Sequence, residues 1–365
     1  MFVKRKTWAR TIILALLISL MAEVQFVKSS PKTIVVPDDY PSIAVALTNA
    51  AEGDTIFVKI GTYEEETLEI NKNLSLIGEE TNSTIISLHP PWVPTGTYHF
   101  SGTPEYHYDH PIKIVANDVK LSGFTVISNV SRISLISGKG SQIAGNYIKT
   151  GLHLANTGHN ISQNIVRGAI ECSGSNHVIF NNNLDCFWTI GSDIVVQGNT
   201  ISDDVGIAIG GYRNTVLNNT IKNCRVGIAF WGYASNNTIY HNNFLNNAIQ
   251  VQMQNPYDPI VSRWDNGPIS GGNFWSDYNG TDANADGRGD TPYIIDANNI
   301  DLYPLIKPVA IPELHDRTDN PESPIEMGNN GKTEPFPTLP VLAVSVAVVA
   351  IIGFSLLVYF KKRKH

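Results

Sequence analysis

Oxygen-bearing side chains occur at alternate positions in the stretch DANADGRGD, residues 282–290. Their spacing matches positions 1, 3, 5 and 9 of a calcium-binding loop, with Gly287 at the sharp turn of position 6. The predicted ligands are the side chains of Asp282, Asn284, Asp286 and Asp290 and the backbone carbonyl of Arg288. Tyr293 stands where such loops carry a bidentate Glu, so we expect weak Ca²⁺ binding with a structural role. The alternative is a solvated acidic turn.

Three histidines lie in the segment HFSGTPEYHYDH, residues 99–110. Imidazole is a good ligand for copper and zinc, so His99, His107 and His110 form a candidate site for either metal. Their spacing matches no fixed metal motif, and only two methionines follow the N-terminal apolar segment, too few for a thioether cluster that would hold Cu(I). The alternative is an ordinary packed or exposed loop.

Asp203 and Asp204 come nearest to a catalytic pair. Glycoside hydrolases use two carboxylates as acid and base or nucleophile. Two adjacent Asp residues in a loop are usually just solvated, and a third carboxylate in a suitable setting is missing. We therefore predict no catalytic residues. The competing hypothesis is an enzyme, either a polysaccharide lyase or a glycoside hydrolase.

One short pattern recurs along the middle of the chain: an apolar residue, any two residues, Asn, one residue and a second apolar residue. Its members run from Leu121, whose unit has Phe124 in place of Asn, to Ile239, and are separated by 22, 18, 18, 17, 20 and 23 residues. Since a unit of this size can bury its apolar face only against its neighbours, the repeat predicts a solenoid. Strand, Asn turn, strand, loop and strand make one coil of a right-handed parallel β-helix. Predicted strands include Thr55–Val58, Leu68–Ile70, Leu74–Ile77, Leu152–Leu154, Ile207–Ile209, Ile228–Phe230 and Ile249–Val251.

The Asn of the pattern is predicted to form a ladder inside the coils. Coils stack at ~4.7–4.9 Å, so successive Asn side chains can hydrogen-bond to one another. Asn also tolerates the left-handed backbone that the turn needs. The ladder residues are Asn146, Asn164, Asn182, Asn199, Asn219 and Asn242. The alternative is that they are exposed turn residues.

Two tryptophans have matching positions in this repeat. Trp188 and Trp231 each lie eight residues before the next unit and two coils apart, with Tyr212 and Tyr233 nearby. Aromatic faces about 10 Å apart could stack on alternate sugars of a neutral polysaccharide. The alternative is that these rings pack the loop side of the solenoid.

The ends of a solenoid must be covered, because open strand edges invite aggregation. Residues 37–53 predict a helical N-terminal cap, and residues 264–307 predict a C-terminal cap that includes the Asp-rich loop. Residues 88–110 break the repeat and predict an inserted loop. Together these make an ectodomain of residues 31–307, and a Pro-containing acidic stalk follows at 308–338.

Both ends of the chain read as membrane signals. Residues 1–28 combine a basic start with a short apolar run, which is typical of a secretory signal peptide. Residues 339–360 contain no charge and are long enough to span ~30 Å of hydrocarbon, so they predict a transmembrane helix. The basic tail, 361–365, is then expected in the cytoplasm, which places the ectodomain outside the cell membrane.

The exported part is strongly acidic. Residues 29–360 hold 17 Lys and Arg against 32 Asp and Glu, a net charge of about −15. This charge excludes nucleic acid as a partner and disfavours polyanionic polysaccharides. The three cysteines predict no disulfide framework. Seven N-glycosylation sequons suit a glycoprotein of the cell surface: Asn73, Asn82, Asn129, Asn160, Asn218, Asn236 and Asn279.

Three stretches carry a family resemblance: IVVPDDYPSIAVALTNAAEGDTIFVKIGTYEEE, the GNTI-type coils, and GGNFWSDYNGTDANADGRGDTPYIID. Together they resemble archaeal surface proteins with NosD-type right-handed β-helix domains, part of the pectate-lyase-like superfamily. The resemblance implies a carbohydrate-binding or carbohydrate-cleaving fold. It also implies copper handling as an alternative role, since the NosD protein is linked to copper delivery for nitrous oxide reductase. The order Glu334–Pro335–Phe336 differs from the Pro-Glu-Phe sorting signal of archaeal envelope proteins.

The sequence thus predicts a membrane-anchored, extracytoplasmic β-helix protein whose work is non-catalytic. It would bind a neutral polysaccharide or cell-envelope glycans, or serve as part of the cell surface. The alternatives are a carbohydrate-active enzyme and a copper-handling protein.

Overall fold

The computed structural model describes residues 30–98, 104–108, 110–129, 134–253 and 260–314. All of them belong to one compact unit, Met1–Pro321, and the second unit, Glu322–His365, lies outside this range. The predicted signal peptide, transmembrane helix and basic tail therefore fall outside the described residues, as does the predicted stalk beyond position 314. Within the described part, the chain forms no helix that is both long and apolar enough to cross a membrane.

The described residues form thirty-one short strands and two short helices. The helices are α1 (Ile43–Asn49) and α2 (Gly267–Ser270). In chain order the strands are β1 (Thr33–Val36), β2 (Thr55–Val58), β3 (Gly61–Glu65), β4 (Leu68–Ile70), β5 (Ser75–Gly78), β6 (Thr84–Leu88), β7 (Trp92–Tyr98), β8 (Pro104–Tyr108), β9 (Ile112–Ile114), β10 (Lys120–Ser122), β11 (Thr125–Ser128), β12 (Ser134–Ile136), β13 (Gln142–Ala144), β14 (Tyr147–Ile148), β15 (Leu152–Leu154), β16 (Asn160–Ser162), β17 (Ile165–Cys172), β18 (Val178–Phe180), β19 (Asn183–Thr189), β20 (Val195–Gln197), β21 (Thr200–Ile201), β22 (Val205–Ile209), β23 (Thr215–Leu217), β24 (Thr220–Lys222), β25 (Val226–Phe230), β26 (Thr238–Tyr240), β27 (Asn243–Leu245), β28 (Ile249–Met253), β29 (Phe274–Trp275), β30 (Tyr293–Ile294) and β31 (Ile300–Asp301).

The strands wind into a right-handed parallel β-helix, which confirms the predicted fold class. Ten strands stack in parallel as one sheet, in the order β1-β2-β5-β10-β13-β16-β18-β20-β23-β26, and we call its outer side face A. A seventeen-stranded sheet makes the other two sides of each coil. Face B is the outer side of the arm that contains β21, β24 and β27, and face C is that of the arm with β22, β25 and β28. Apolar side chains of all three arms fill the interior as a continuous core.

The predicted Asn ladder is present at the corner between faces A and B, and all six of its residues are buried. Asn199 shows the pattern. Its Nδ2 donates to Ile179 O at 2.8 Å, Gln197 O at 3.0 Å and Asn219 Oδ1 at 3.0 Å. Its Oδ1 accepts the backbone N–H of Asn182 at 2.8 Å and the Nδ2 of the same residue at 2.9 Å. Every polar atom of the amide is thus satisfied inside an apolar core, as burial requires.

The ladder Asn is not the residue that adopts the left-handed backbone, so that part of the prediction was wrong. The residue before it does: Gly198 has φ 69° and Asn181 has φ 50°, and they precede Asn199 and Asn182. The turn uses one left-handed residue to change direction, and the next residue then points its amide inward. Gly and Asn suit this preceding position because they tolerate positive φ.

A second polar stack lies at the other end of the face A strands and was not predicted. His159 and His177 stack with ring centroids 5.0 Å apart. The Nδ1 of His177 accepts the backbone N–H of His159 at 3.2 Å. Two coils further on, Asn237 Oδ1 accepts the N–H of Asn214 at 2.8 Å in the same way. Imidazole and amide side chains therefore perform the same task at this corner.

The N-terminal end is covered by α1, which lies inside the predicted cap range 37–53. Ser42 caps the helix by accepting the N–H of Val45, and Ile43 and Leu47 are buried under it. The carboxylate of Glu65 accepts the Ile43 N–H at 2.8 Å, where it also complements the helix dipole.

Two other predicted segments have defined structure. Within the predicted loop 88–110, β7 and β8 pair as an antiparallel hairpin. Within the predicted cap 264–307, the ring of Trp275 stacks between Phe244 and Tyr293, 4.2 Å from each. The aromatic rings thus close the C-terminal end of the core.

The chain after β31 turns back along face B. Leu305 pairs with Phe274, and Val309 exchanges two hydrogen bonds with the side-chain amide of Asn243, at 2.8 and 2.9 Å. Further along, Leu314 O accepts from Asn183 Nδ2 at 2.9 Å. We call residues 305–314 the strap. The first residues of the predicted stalk, from 308 to 314, therefore lie on the β-helix.

Candidate functional site

The middle coils of face C carry a column of outward side chains that includes Trp188. The register aligns Trp188 with Ala208 of the next coil and Ala229 of the coil after it. Since Phe187 and Thr189 on either side point into the core, the indole of Trp188 lies on the outside and is 45% exposed. The small side chains of Ala208 and Ala229 leave the surface beside it shallow.

The next outward column contains Ile190, Gly210 and Trp231, each one residue beyond the end of its strand. A Cβ atom on Gly210 would lie 3.0 Å from Cε2 of Trp231, so the indole rests on the bare backbone of the preceding coil. Ile190 and Trp231 remain exposed. The sequence analysis missed both Ile190 and Gly210, although the coil alignment puts them in register with Trp231.

Two tyrosines extend this surface towards face A. Arg213 lies over the ring of Tyr212, with its Cζ 4.5 Å from the centroid, and holds the ring in place. Tyr233 is 86% exposed. The structure thus brings the four predicted aromatic residues to one side of the molecule. We call this set the aromatic surface: Trp188, Ile190, Tyr212, Trp231 and Tyr233.

Ion pairs between neighbouring coils border the aromatic surface on both sides. Arg213 donates to both carboxylate oxygens of Asp193, at 2.8 and 2.6 Å. On the opposite border, Arg225 donates to both oxygens of Asp204, at 2.5 and 3.0 Å. These hydrogen bonds hold the pKa of Asp193 and of Asp204 below the usual value. Both borders are therefore charge-compensated, and the partners are 20 and 21 residues apart, which matches the repeat.

The Asp203–Asp204 stretch does not form an acid–base pair, since the Asp204 carboxylate is engaged with Arg225. A Ser–His contact lies closer to the aromatic surface, where Ser173 Oγ is 2.9 Å from His153 Nε2. No hydrogen bond to a third side chain orients His153 in the described structure, so this contact lacks the geometry of an activated nucleophile.

Comparison with known proteins bears on this geometry. The sequence pattern of the family described as periplasmic copper-binding protein (NosD) matches residues 97–280. The chain belongs to the NosD family. One curated NosD protein, the probable ABC transporter binding protein NosD of Stutzerimonas stutzeri, is 35% identical over 99 residues. That match covers 26% of this chain and 21% of the relative, so the chain corresponds to about a fifth of the relative's length.

Solved structures with a similar fold include several enzymes that act on polysaccharides. The A-module of a mannuronan C-5 epimerase from Azotobacter vinelandii gives a TM-score of 0.39 at 15% identity, over 58% of this chain and 73% of that one. An exopolygalacturonase from Thermotoga maritima gives a TM-score of 0.40 at 11% identity, over 61% of this chain and 72% of that one. At these scores and identities the likeness carries no statement about activity.

The Asp-rich loop of this NosD-family chain is held by its own hydrogen bonds. Asp282 accepts the N–H groups of Asp286 and Gly287, at 3.0 and 2.9 Å. The carboxylate of Asp286 pairs with Arg288 at 2.7 Å, and that of Asp290 accepts the Ala283 N–H at 2.8 Å. Across the described ranges, no three His, Cys, Asp or Glu side chains converge as a metal-binding group. Among the four predicted side-chain ligands, Asp282, Asp286 and Asp290 thus already have hydrogen-bond partners, and calcium binding stays a prediction.

Of the three histidines proposed for copper or zinc, only His110 has a described side chain. His99 lies outside the described residues, and of His107 only the backbone, in β8, is described. His110 is half-buried at the end of the hairpin. Their convergence therefore stays a prediction.

Proposed function

We propose that this NosD-family protein binds a neutral polysaccharide on its aromatic surface and does not cleave it. The observation that carries the proposal is an exposed apolar and aromatic patch on face C whose bordering charges are already paired. Aromatic rings stack on the apolar faces of sugar rings, and their hydroxyl or N–H groups can bond the sugar hydroxyls. Exposed patches of this kind on a soluble domain commonly mark a binding site.

The spacing of the two indoles supports a chain of sugars as the ligand. Trp188 and Trp231 lie in coils two apart, which is about 9.6 Å along the β-helix axis. Gly210 and Ala208 lie between them and leave room for an intervening sugar. A chain that runs along the axis would therefore contact one indole at every second sugar.

Charge favours a neutral ligand over a polyuronate. The basic side chains nearest the aromatic surface, Arg213 and Arg225, are each engaged with an Asp of the adjacent coil. Glu171 lies beside Trp188 in the preceding coil. An anionic sugar would therefore find no unpaired cation among these residues, and the acidic chain would repel it.

The proposal includes a location for the β-helix outside the cytoplasm. The family description is periplasmic, and we infer an extracytoplasmic position for the β-helix, with residues 1–28 as the export signal and 339–360 as a single membrane anchor. Protease accessibility on intact cells tests this, because an ectodomain at the surface is cut while the cytoplasmic tail is protected.

Glycan-array binding is the direct test of the sugar proposal. We expect the fragment 30–321, which keeps the strap, to bind a neutral glycan and to lose most of that binding in the double variant Trp188→Ala/Trp231→Ala. The matched control is Ile269→Ala, which removes an apolar side chain that is 92% exposed elsewhere. Absence of binding to every neutral glycan, or equal loss in the control, would contradict the proposal.

Metal handling is the second candidate function, and the family's copper-binding description favours it. Its ligands would be His99, His107 and His110. Copper titration of the wild type and of a His107→Ala variant tests it, and unchanged stoichiometry in the variant would eliminate this site.

Calcium binding by Asp282, Asn284, Asp286, Asp290 and the carbonyl of Arg288 is tested in the same manner, by Ca²⁺ titration of an Asp282→Ala variant. Loss of calcium-induced thermal stabilisation is the expected outcome.

A further inference from the structure

Face A differs from the other two faces in charge. Its ten strands present two outward columns, with twenty residues in all, and Lys120 is the only charged one among them. The first column is Thr33, Thr55, Ser75, Lys120, Gln142, Asn160, Val178, Val195, Thr215 and Thr238. The second is Val35, Phe57, Ile77, Ser122, Ala144, Ser162, Phe180, Gln197, Leu217 and Tyr240. By contrast, the outward columns of face B include Lys149, Arg167, Asp185 and Lys222, and that of face C includes Glu69, Lys113 and Glu171.

The rims of face A are low, so a flat partner can reach the sheet. Most residues that turn the corners on either side are Gly or Asn in the left-handed conformation, such as Gly140, Gly158, Asn176, Gly145 and Gly198. Among the described residues, the strap lies on face B and not on face A. The described part of face A is thus flat and carries little charge for an acidic protein: Lys120 within it, Arg263 beside Thr238 at its C-terminal end, and the Asp193–Arg213 ion pair at its rim.

Apolar residues are arranged symmetrically along this face. The first three strands contribute Val35, Phe57 and Ile77, and the last four contribute Phe180, Leu217 and Tyr240 together with two valines. The three strands between them carry only polar residues, one Ala and Lys120. If two such faces meet about a two-fold axis, with their β-helices antiparallel, the apolar ends of one copy contact the apolar ends of the other. The polar middle of each face then contacts the polar middle of its partner. The same arrangement keeps the two Lys120 side chains apart.

We propose that face A is the interface of a two-fold symmetric homodimer with its two β-helices antiparallel. Nine strand spacings make the face about 43 Å long. Its strands of three or four residues, together with the corner residue on either side, make it about 16 Å wide, so it covers roughly 700 Å². A standard interface buries about 600–1,000 Å² on each partner, so the area lies in the lower part of that range. Like-charged copies repel across any charged face, and face A is the one on which a second copy brings almost no charge. A symmetric contact between identical patches is the commonest way for proteins to form dimers.

The test is the mass of the full-length chain in detergent micelles, measured by sedimentation equilibrium across a broad range of concentration. We expect the wild type to be a dimer and Leu217→Asp to be a monomer, because each dimer would then bury two carboxylates. The matched control is Ile249→Asp, which places the same charge at an exposed apolar position in β28 on face C, and it should remain a dimer.

Thr215→Lys is the second variant, since it adds a charge to face A without removing an apolar side chain. It should dissociate the dimer while its circular dichroism spectrum at room temperature stays that of the folded β-helix. A monomeric wild type would overturn the proposal. A wild-type dimer that survives both Leu217→Asp and Thr215→Lys would also overturn it, because the contact would then lie elsewhere.

Discussion

The carboxylate of Asp301 accepts the backbone N–H of Asn273 at 2.7 Å and so ends the Asn ladder. Asn273 is a seventh rung, since its Oδ1 accepts both N–H and Nδ2 of Asn242. Asp301 also accepts from Trp275 Nε1 at 2.9 Å and from Tyr303 N at 3.1 Å. An ionised carboxylate accepts hydrogen bonds and donates none, so it satisfies the last donors of the ladder without needing a further partner.

Asp301→Asn tests this closure. Burial raises the pKa of Asp301 to about 6, although the hydrogen bonds that its carboxylate accepts act to lower this pKa. Because the folded pKa lies above the unfolded value of 3.8, the folded state is most favoured below about pH 4 and loses on the order of 3 kcal/mol as pH rises to about 6. Asn cannot titrate, so the variant should lack this loss. At pH 7 it should still be less stable than wild type by about 1–3 kcal/mol, because its NH₂ group faces an N–H donor. Urea denaturation at pH 4.5 and pH 7 measures both effects; equal stabilities at pH 7 would show that the carboxylate is not needed.

His177→Asn tests the second polar stack. Here the stability of the wild type should change with pH in the opposite direction to the change that Asp301 causes. Burial lowers the pKa of His177 to about 4 from 6.5, and its Nδ1 must stay unprotonated to accept the His159 N–H. The unfolded chain therefore binds more protons between about pH 4 and 6.5, and wild-type stability should fall on acidification by on the order of 3 kcal/mol from this residue. Asn accepts the same N–H, as Asn237 does for Asn214. The variant should fold and lose this acid sensitivity, and a pH profile identical to wild type by urea denaturation would refute the assignment.

Asn243→Ala should release the strap. The substitution removes both hydrogen bonds to Val309. Leu305 stays paired with Phe274, and beyond Val309 the exposed Lys222–Glu313 ion pair and the Asn183 contact are left to hold the strap. Exposed ion pairs contribute about 0–1 kcal/mol, so the strap should open more often. Limited proteolysis with mass spectrometry should show faster cleavage within residues 305–314. Asn298→Ala, at an exposed position in the cap, is the control, and equal cleavage rates in both variants would contradict the role of Asn243.

Gly210→Ala should disturb the aromatic surface without unfolding the coil. The new Cβ would lie 3.0 Å from the Trp231 indole, which must move outward by a few tenths of an ångström or more. We expect weaker binding to whichever neutral glycan the array identifies, by a few-fold. In a Trp231→Ala background the same substitution should have no further effect, since the displaced ring is gone. An equal loss in both backgrounds would show that Gly210 acts independently of Trp231.

Much of the fold could be read from the sequence because every coil repeats the same local problem. The strands Thr55–Val58, Leu68–Ile70 and Leu152–Leu154 lie where they were predicted, and the six predicted ladder residues are buried. Each contacts the coil before and after it, at separations close to the repeat length, so the periodicity itself records the contact. The ion pairs Asp193–Arg213 and Asp204–Arg225 have the same separation and could have been found by aligning the coils.

The sequence by itself determined the repeat unit of the coils, the Asn ladder inside them and the place of the aromatic residues along the chain. The tertiary structure alone decided what ends the ladder and what covers the faces. Asn273 follows Asn242 after 31 residues and Asp301 follows Asn273 after 28, both outside the period, and the strap reaches Asn183 across 131 residues. Such contacts leave no periodic trace, because they depend on where a non-repeating segment folds back in space.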